Sequence, residues 1–319
     1  MKYGIIGLGN HALNRIMPSI VSGGSEILGV TTTNSEKGRT VSDQYSCKYF
    51  GTYDEMLRSD IESVYIASPN FLHYEHAMKA IRNGKNILME KPMSLRAVEA
   101  KDIIELSKEK KVRVAVGFHL RMHPSVNFVK KRIMDTQSPI RLIAGQWGHL
   151  SNSHRNITDD TRWWGEYEKS GGGSVMGTGV HIIDTILNIA GKFPRKVTAL
   201  ALPEGSMIDS SMIINMQFEN FISTAYSSRE TSELSNDLVI VTEGEEIRVR
   251  NFFSTSIDYE ILVNGNSMQK ESGGNIYTKE IVEFEKAVSG EESHIARDKD
   301  GYYVVRIIED AHRYMSMAR

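Results

Sequence analysis

What most limits the fold of this chain is an alternation. Between residues 1 and 118, six short apolar runs are separated by stretches whose apolar residues recur every three to four positions. The runs start at Tyr3 ("YGIIG"), Glu26 ("EILGV"), Cys47 ("CKYF"), Ser63 ("SVYIAS"), Asn86 ("NILME") and Val112 ("VRVAVGF"). Two intervening stretches, "HYEHAMKAIRNGK" and "LRAVEAKDIIELSKEKK", close in basic residues, as helix C-termini prefer. Strand, helix and strand in repetition predict parallel pairing with right-handed crossovers, and in such sheets ligands bind beyond the carboxyl ends of the strands. At 319 residues the chain predicts two domains, 1–120 and 121–319.

The first run leads into Gly7-Leu8-Gly9-Asn10-His11-Ala12, a G-x-G-x-x-A sequence whose helical pattern continues through Ile16 to Ile20. The glycines permit a tight turn and close backbone approach, and a helix N-terminus offers amides to a pyrophosphate. After a strand and before a helix, Gly7, Gly9, Asn10, His11 and Ala12 read as a dinucleotide site; an ordinary glycine-rich turn is the alternative. The expected N-terminal fold is a Rossmann doubly wound parallel sheet. At the end of the second strand a carboxylate would accept the ribose hydroxyls of NAD and repel a further phosphate. No acid occurs there before Glu36, whereas Thr32, Thr33 and Lys37, with Arg39 nearby, suit a 2′-phosphate. NADP is therefore expected ahead of NAD.

The fourth run ends in Ser68-Pro69-Asn70, before a helix carrying His73 and His76, and the fifth ends in Glu90-Lys91-Pro92. Pro92 has no amide hydrogen, so the strand must stop there. On one sheet edge, Ser68, Pro69, Asn70, His73, Glu90 and Lys91 are expected at the cofactor, with Lys91 donating to an oxygen undergoing oxidation or reduction. The alternative has Glu90 and Lys91 paired with each other or solvated at a turn. Arg121 follows the sixth run and is expected at the cofactor edge, and His119 is expected to face the substrate.

After Phe118 the pattern changes. A helix-like "HPSVNFVKKRIMD" precedes the strand "RLIAGQWGHL" and a polar stretch from Ser151 to Lys169. From Val197 onward strand patterns follow one another closely, with turn residues at Glu219-Asn220, Gly244 and Asn264-Gly265. These predict a large, mostly antiparallel, open-faced sheet, closed by helices near Thr278 to Ser289 and Asp300 to Met317. Within "SGGGSVMGTGVHIIDTILNIAG" the helix is apolar except for Gly177, His181, Asp184 and Asn188, which share one stripe. His181 is a candidate general acid/base because its ordinary pKa of about 6.5 lies near working pH; a core histidine bonded to Asp184 is the alternative. Trp163 and Trp164 are candidate walls for a sugar face, with packing the alternative.

A formal charge of −2 gives no electrostatic reason to seek nucleic acid or anionic lipid, so small molecules are the expected ligands. The single cysteine, Cys47, forms no internal disulfide, and His149 and His154 have no metal-ligand spacing; no metal is expected. No stretch approaches the ~18 apolar residues of a membrane span, and "MKYGIIGLGN" reads as a strand rather than a signal segment. A cytoplasmic location is expected.

Taken together, the Gly7/Gly9/Ala12 turn, Ser68-Pro69-Asn70 with His73, Glu90-Lys91-Pro92 and "GGG…GVHIID" resemble the Gfo/Idh/MocA oxidoreductase family across essentially the whole chain. The resemblance implies a Rossmann domain followed by an α/β domain whose open sheet serves homodimer or homotetramer contacts. It also implies hydride transfer between nicotinamide and a sugar, polyol or related carbonyl compound bound between the domains. The family's catalytic lysine falls on Lys91 and its acid/base histidine on His181, with Asp184 matching a second acid. Many members carry an aspartate four positions before that histidine, where this chain has Gly177, which leaves the substrate class open. A non-catalytic, sugar-sensing regulator and an NAD-dependent glycoside hydrolase are the competing readings.

Overall fold

The computed structural model describes residues 1–150, 161–231, 236–254, 258–272 and 274–317. His154 and most of the polar stretch expected from 151 to 169 lie outside the described residues. The chain divides into two compact units, Met1–Met122 with Asn275–Val305, and His123–Gly274 with Arg306–Arg319.

In the first unit the six apolar runs become β1 (Lys2–Ile6), β2 (Glu26–Thr31), β3 (Lys48–Tyr49), β4 (Ser63–Ile66), β5 (Asn86–Met89) and β6 (Val114–Val116). They form one parallel sheet in the order β3-β2-β1-β4-β5-β6. Helices cover both faces, so β4 is buried along its whole length and continues without alternation through Val64, Tyr65 and Ile66. The crossovers carry α1 (Met17–Ser22), entered through a wider π turn at Ala12–Ile16, then α2 (Ser35–Gln44), α3 (Tyr53–Leu57), α4 (His73–Arg82) and α5 (Ala97–Lys110). Strand order reverses between β1 and β4, which opens the crevice where a doubly wound sheet binds ligand.

One boundary needs correcting. The second domain was expected to run unbroken from 121 to 319, yet residues 275–305 return to the first unit. The helix Ile276–Ser289 buries Ile281 and Phe284 in the core formed by Tyr3, Ile16, Ile20 and Tyr65. Its Glu285 accepts hydrogen bonds from the Tyr3 hydroxyl (3.1 Å) and the Ser25 hydroxyl (2.6 Å). An apolar helix face seeks the nearest uncovered apolar surface, and position along the chain does not reveal which surface that is.

The second unit begins with α6 (Pro124–Thr136), continues through α7 (Tyr167–Ser170), and packs α8 (Val180–Ala190) on a mixed sheet. Its strands are β7 (Ile140–Gly148), β8 (Lys196–Leu202), β9 (Ser211–Gln217), β10 (Ile222–Ser228), β11 (Leu238–Thr242), β12 (Glu246–Arg250), β13 (Asp258–Val263) and β14 (Asn266–Ser272). Their order is β14-β13-β12-β11-β7-β10-β9-β8, antiparallel throughout except where β7 meets β10. Contact between helix and sheet is tight at Gly145, where a Cβ would fall 2.5 Å from Ile182. Among the described residues no helix is long and apolar enough to cross a membrane.

Phe284 is fully buried, so Phe284→Ala should cost roughly 3–5 kcal/mol in chemical unfolding. Amide exchange in β1 and β2 should accelerate with it; unchanged exchange in those strands would separate this helix from the Rossmann core.

Candidate active site

The carboxyl ends of β1, β4 and β5 gather the first group of expected residues. β1 ends where Gly7 takes φ +89°, and a Cβ there would lie 2.5 Å from the Ala67 carbonyl oxygen, so only glycine turns this closely against the end of β4. At Gly9 a Cβ would meet nothing within 4 Å, whereas Ala12 is fully buried beneath the helix. An open, glycine-lined turn backed by the first amides of a helix fits a dinucleotide pyrophosphate.

His11 closes that turn. Its Nε2 donates to Glu90 Oε1 at 2.9 Å, and its ring meets Tyr277 edge-on with centroids 5.3 Å apart. The Tyr65 hydroxyl donates to the same Glu90 oxygen. The Glu90 carboxylate raises the proton affinity of His11 above its ordinary 6.5, against the opposing effect of burial. Burial alone would push the Glu90 carboxyl up, but His11, Lys91 and the Tyr65 hydroxyl together hold it well below the usual carboxylate range. Next to it, burial lowers the Lys91 ammonium from its ordinary 10.5 while Glu90 resists that fall. Glu90, expected at the cofactor, thus supplies the carboxylate that His11 and Lys91 share.

His73, also expected at the cofactor, joins two turns of this edge. It is buried, with Nδ1 2.6 Å from the Pro92 carbonyl and Nε2 2.8 Å from the Ser68 carbonyl, so the ring ties the turn after β4 to the turn after Lys91. Ser68 and Asn70 are buried in that turn beside Pro69, and the Lys91–Pro92 bond is cis. At the end of β2, Thr32 is half-buried and Thr33 exposed, and Asn34 caps α2 by accepting from the Lys37 amide at 3.0 Å. Arg121, expected at the cofactor edge, is half-buried and paired with Asp300 at 3.2 Å, which holds the turn after β6 to the final helix Asp298–Met317. His119, expected at the substrate, packs on Tyr277 with centroids 4.8 Å apart.

In the second unit α8 carries His181 and Asp184, both buried. The His181 ring lies 5.6 Å from that of Trp147 on β7. Asn188, last on the polar stripe, accepts from Lys130 Nζ at 2.6 Å. One turn before His181, a Cβ at Gly177 would meet nothing within 4 Å. Trp163 and Trp164 stack on each other at 4.3 Å. Among the described residues no cluster of His, Cys, Asp or Glu could hold a metal ion. Sequence reasoning missed Tyr65, Tyr277 and Trp147, which stand in apolar runs or helical patterns where an aromatic signals only core.

A parallel sheet in this order, with a glycine turn at its switch point and a lysine just past β5 on the same edge, defines a dinucleotide-binding oxidoreductase fold. Residues 1–118 match the family described as oxidoreductase family, NAD-binding Rossmann fold (Gfo/Idh/MocA), and residues 139–248 match the GFO/IDH/MocA C-terminal domain. The chain belongs to the Gfo/Idh/MocA oxidoreductase family. It is 26% identical over 205 residues to the uncharacterized oxidoreductase ORF334 of Rhizobium meliloti, a match covering 63% of this chain but only 59% of that protein. To the 1,5-anhydro-D-fructose reductase of Ensifer adhaerens it is 22% identical over 311 residues, 95% of this chain and 92% of the other. The crystal structure of aldose-aldose oxidoreductase from Caulobacter crescentus, complexed with glycerol, shares the fold at TM-score 0.86 and 21% identity, covering 100% of this chain and 98% of that one.

The His11–Glu90 pair makes a pH-dependent contribution to stability. Because the folded His11 binds its proton more tightly, its share is complete below the ordinary value of 6.5 and fades as pH climbs through the raised value. Glu90's share is present above its ordinary 4.5 and is lost as pH falls through its depressed value. The melting-temperature gap between wild type and His11→Gln should therefore be widest between about pH 4.5 and 6.5 and narrow toward alkaline pH. A gap constant over that range would contradict the pairing.

Proposed function

We propose that this protein oxidises or reduces a hydroxyl or keto carbon of a sugar or polyol, with NADP(H) as the redox partner. The observation that carries the reading is Lys91, which follows strand β5 of the dinucleotide sheet beside the Glu90 carboxylate that opposes the effect of burial on its ammonium. When bound, the nicotinamide supplies the hydride chemistry. Lys91 donates a hydrogen bond to the reacting oxygen and stabilises charge developing there, while His181 takes or returns the hydroxyl proton. Asp184, His119, Trp163 and Trp164 are proposed to shape the substrate site. The carbohydrate class rests on the family and on the Ensifer relative, a 1,5-anhydro-D-fructose reductase.

The inference of NADP rather than NAD rests on the end of β2, where Thr32 and Thr33 offer hydroxyls, Lys37 offers a cation, and no acid precedes Glu36. We infer a homodimer or homotetramer through the second sheet, whose β8 and β10 expose Leu200, Leu202 and Ile222. A cytoplasmic location accompanies this reading.

Two measurements test it. Loss of one preorganised donor at the reacting oxygen is worth about 3 kcal/mol, so Lys91→Ala should lower turnover ~100-fold or more on whichever sugar the wild type uses in a nicotinamide-absorbance screen of aldoses, polyols and keto-sugars. Turnover near wild type would remove Lys91 from the mechanism, and product formation without net absorbance change would favour a hydrolase. For the cofactor, Thr33→Asp should weaken NADP relative to NAD by about tenfold, the scale of one ~1.4 kcal/mol contact. A wild type strictly preferring NAD would overturn this reading of Thr32, Thr33 and Lys37.

A further inference from the structure

We propose that Asp209, a residue in the turn before β9, positions His181 by capping the helix that carries it from 35 residues downstream. All three amides entering that helix go to this one residue. Gly173 N–H donates to Asp209 Oδ1 at 2.8 Å, Ser174 N–H to the Asp209 main-chain carbonyl at 2.9 Å, and Val175 N–H to Oδ2 at 3.0 Å. The Ser174 hydroxyl also donates to Oδ2. Ser174 itself, at the start of the π turn Val175–Gly179, makes no side-chain cap, so the acceptors for these three amides come from outside the helix. Asp209 is fully buried.

The cap is tied in turn to the sheet. Arg229, just beyond β10, donates Nη2 to the Asp209 carbonyl at 2.6 Å, and the Ser174 hydroxyl lies 3.1 Å from the Ser227 carbonyl and 3.0 Å from the Ser227 hydroxyl. The close approach explains the third glycine of the "GGG" run: a Cβ on Gly173 would sit 1.8 Å from the Asp209 carbonyl oxygen. From Val175 to His181 the helix rises by about 9 Å. Fixing its first turn against β9 and β10 therefore fixes how far along the sheet the imidazole stands, and so its contact with Trp147.

This inference rests on the reading of His181 as acid/base, and the experiment separates the two. Trp147 fluorescence is measured in the W163F/W164F background, where the remaining indole reports on the His181 ring packed against it. The His181-dependent signal is the intensity difference between this protein and its His181→Asn derivative. Asp209→Asn, which turns one acceptor into a donor facing an amide, should largely abolish that difference. In the otherwise native chain it should lower kcat on the order of 100-fold, with NADPH affinity unchanged. Ser174→Ala, which keeps all three amide bonds, should give a smaller loss of both and decides the question if Asp209→Asn does not fold. A cap that only stabilised the helix would lower the melting temperature and leave the signal intact. Folded variants with full signal and wild-type kcat would overturn the proposal, whereas His181→Asn retaining turnover would overturn the acid/base reading and leave the signal comparison standing.

Discussion

The first unit is organised around the charge on Glu90. A carboxylate taken largely out of water costs several kcal/mol unless opposite charge and hydrogen bonds surround it, and here they come from three parts of the chain. Tyr65 reaches it from β4, His11 from the glycine turn after β1, and Lys91 is its neighbour at the end of β5. The two cations answer to the same carboxylate, one with its proton affinity raised and the other with its fall restrained. The glycine turn and the proposed catalytic ammonium are thus electrostatically one assembly.

The second unit solves a different problem with a similar device. An almost wholly apolar helix must be buried, and its first amides then need acceptors that water cannot supply. Asp209 supplies them, and Gly173 is the residue that lets it come close enough. Both units hold a candidate catalytic side chain by committing a buried carboxylate to backbone or partner groups nearby, so that each side chain is set on rigid structure rather than on a loop.

Much of this was legible in the sequence, and the reason is local. Strand and helix periods, the stop imposed by Pro92 and the turn demanded by Gly7 depend on neighbours a few residues away, so the six parallel strands and the edge carrying Lys91 could be read directly. The weakest run, at Cys47, gave the shortest strand, Lys48–Tyr49. What escaped depends on distant partners. Nothing near Glu90 tells that Tyr65 and His11 will meet it, and nothing near Arg121 announces Asp300, 179 residues on. The spacing of His73 does not announce the Pro92 and Ser68 carbonyls that its ring meets, because spacing records where a residue falls on an element and not what the next strand end brings to it. The return of residues 275–305 to the first core is the same lesson at the scale of a helix.

The most direct test of the Glu90 assembly is the proton affinity of Lys91 itself, followed by nitrogen NMR of its side-chain amine in the intact protein and in Glu90→Gln. The account predicts a value below the ordinary 10.5 in the native chain and a further fall when the neighbouring charge is removed. A lysine that titrates at its ordinary value, or identically in both proteins, would contradict it.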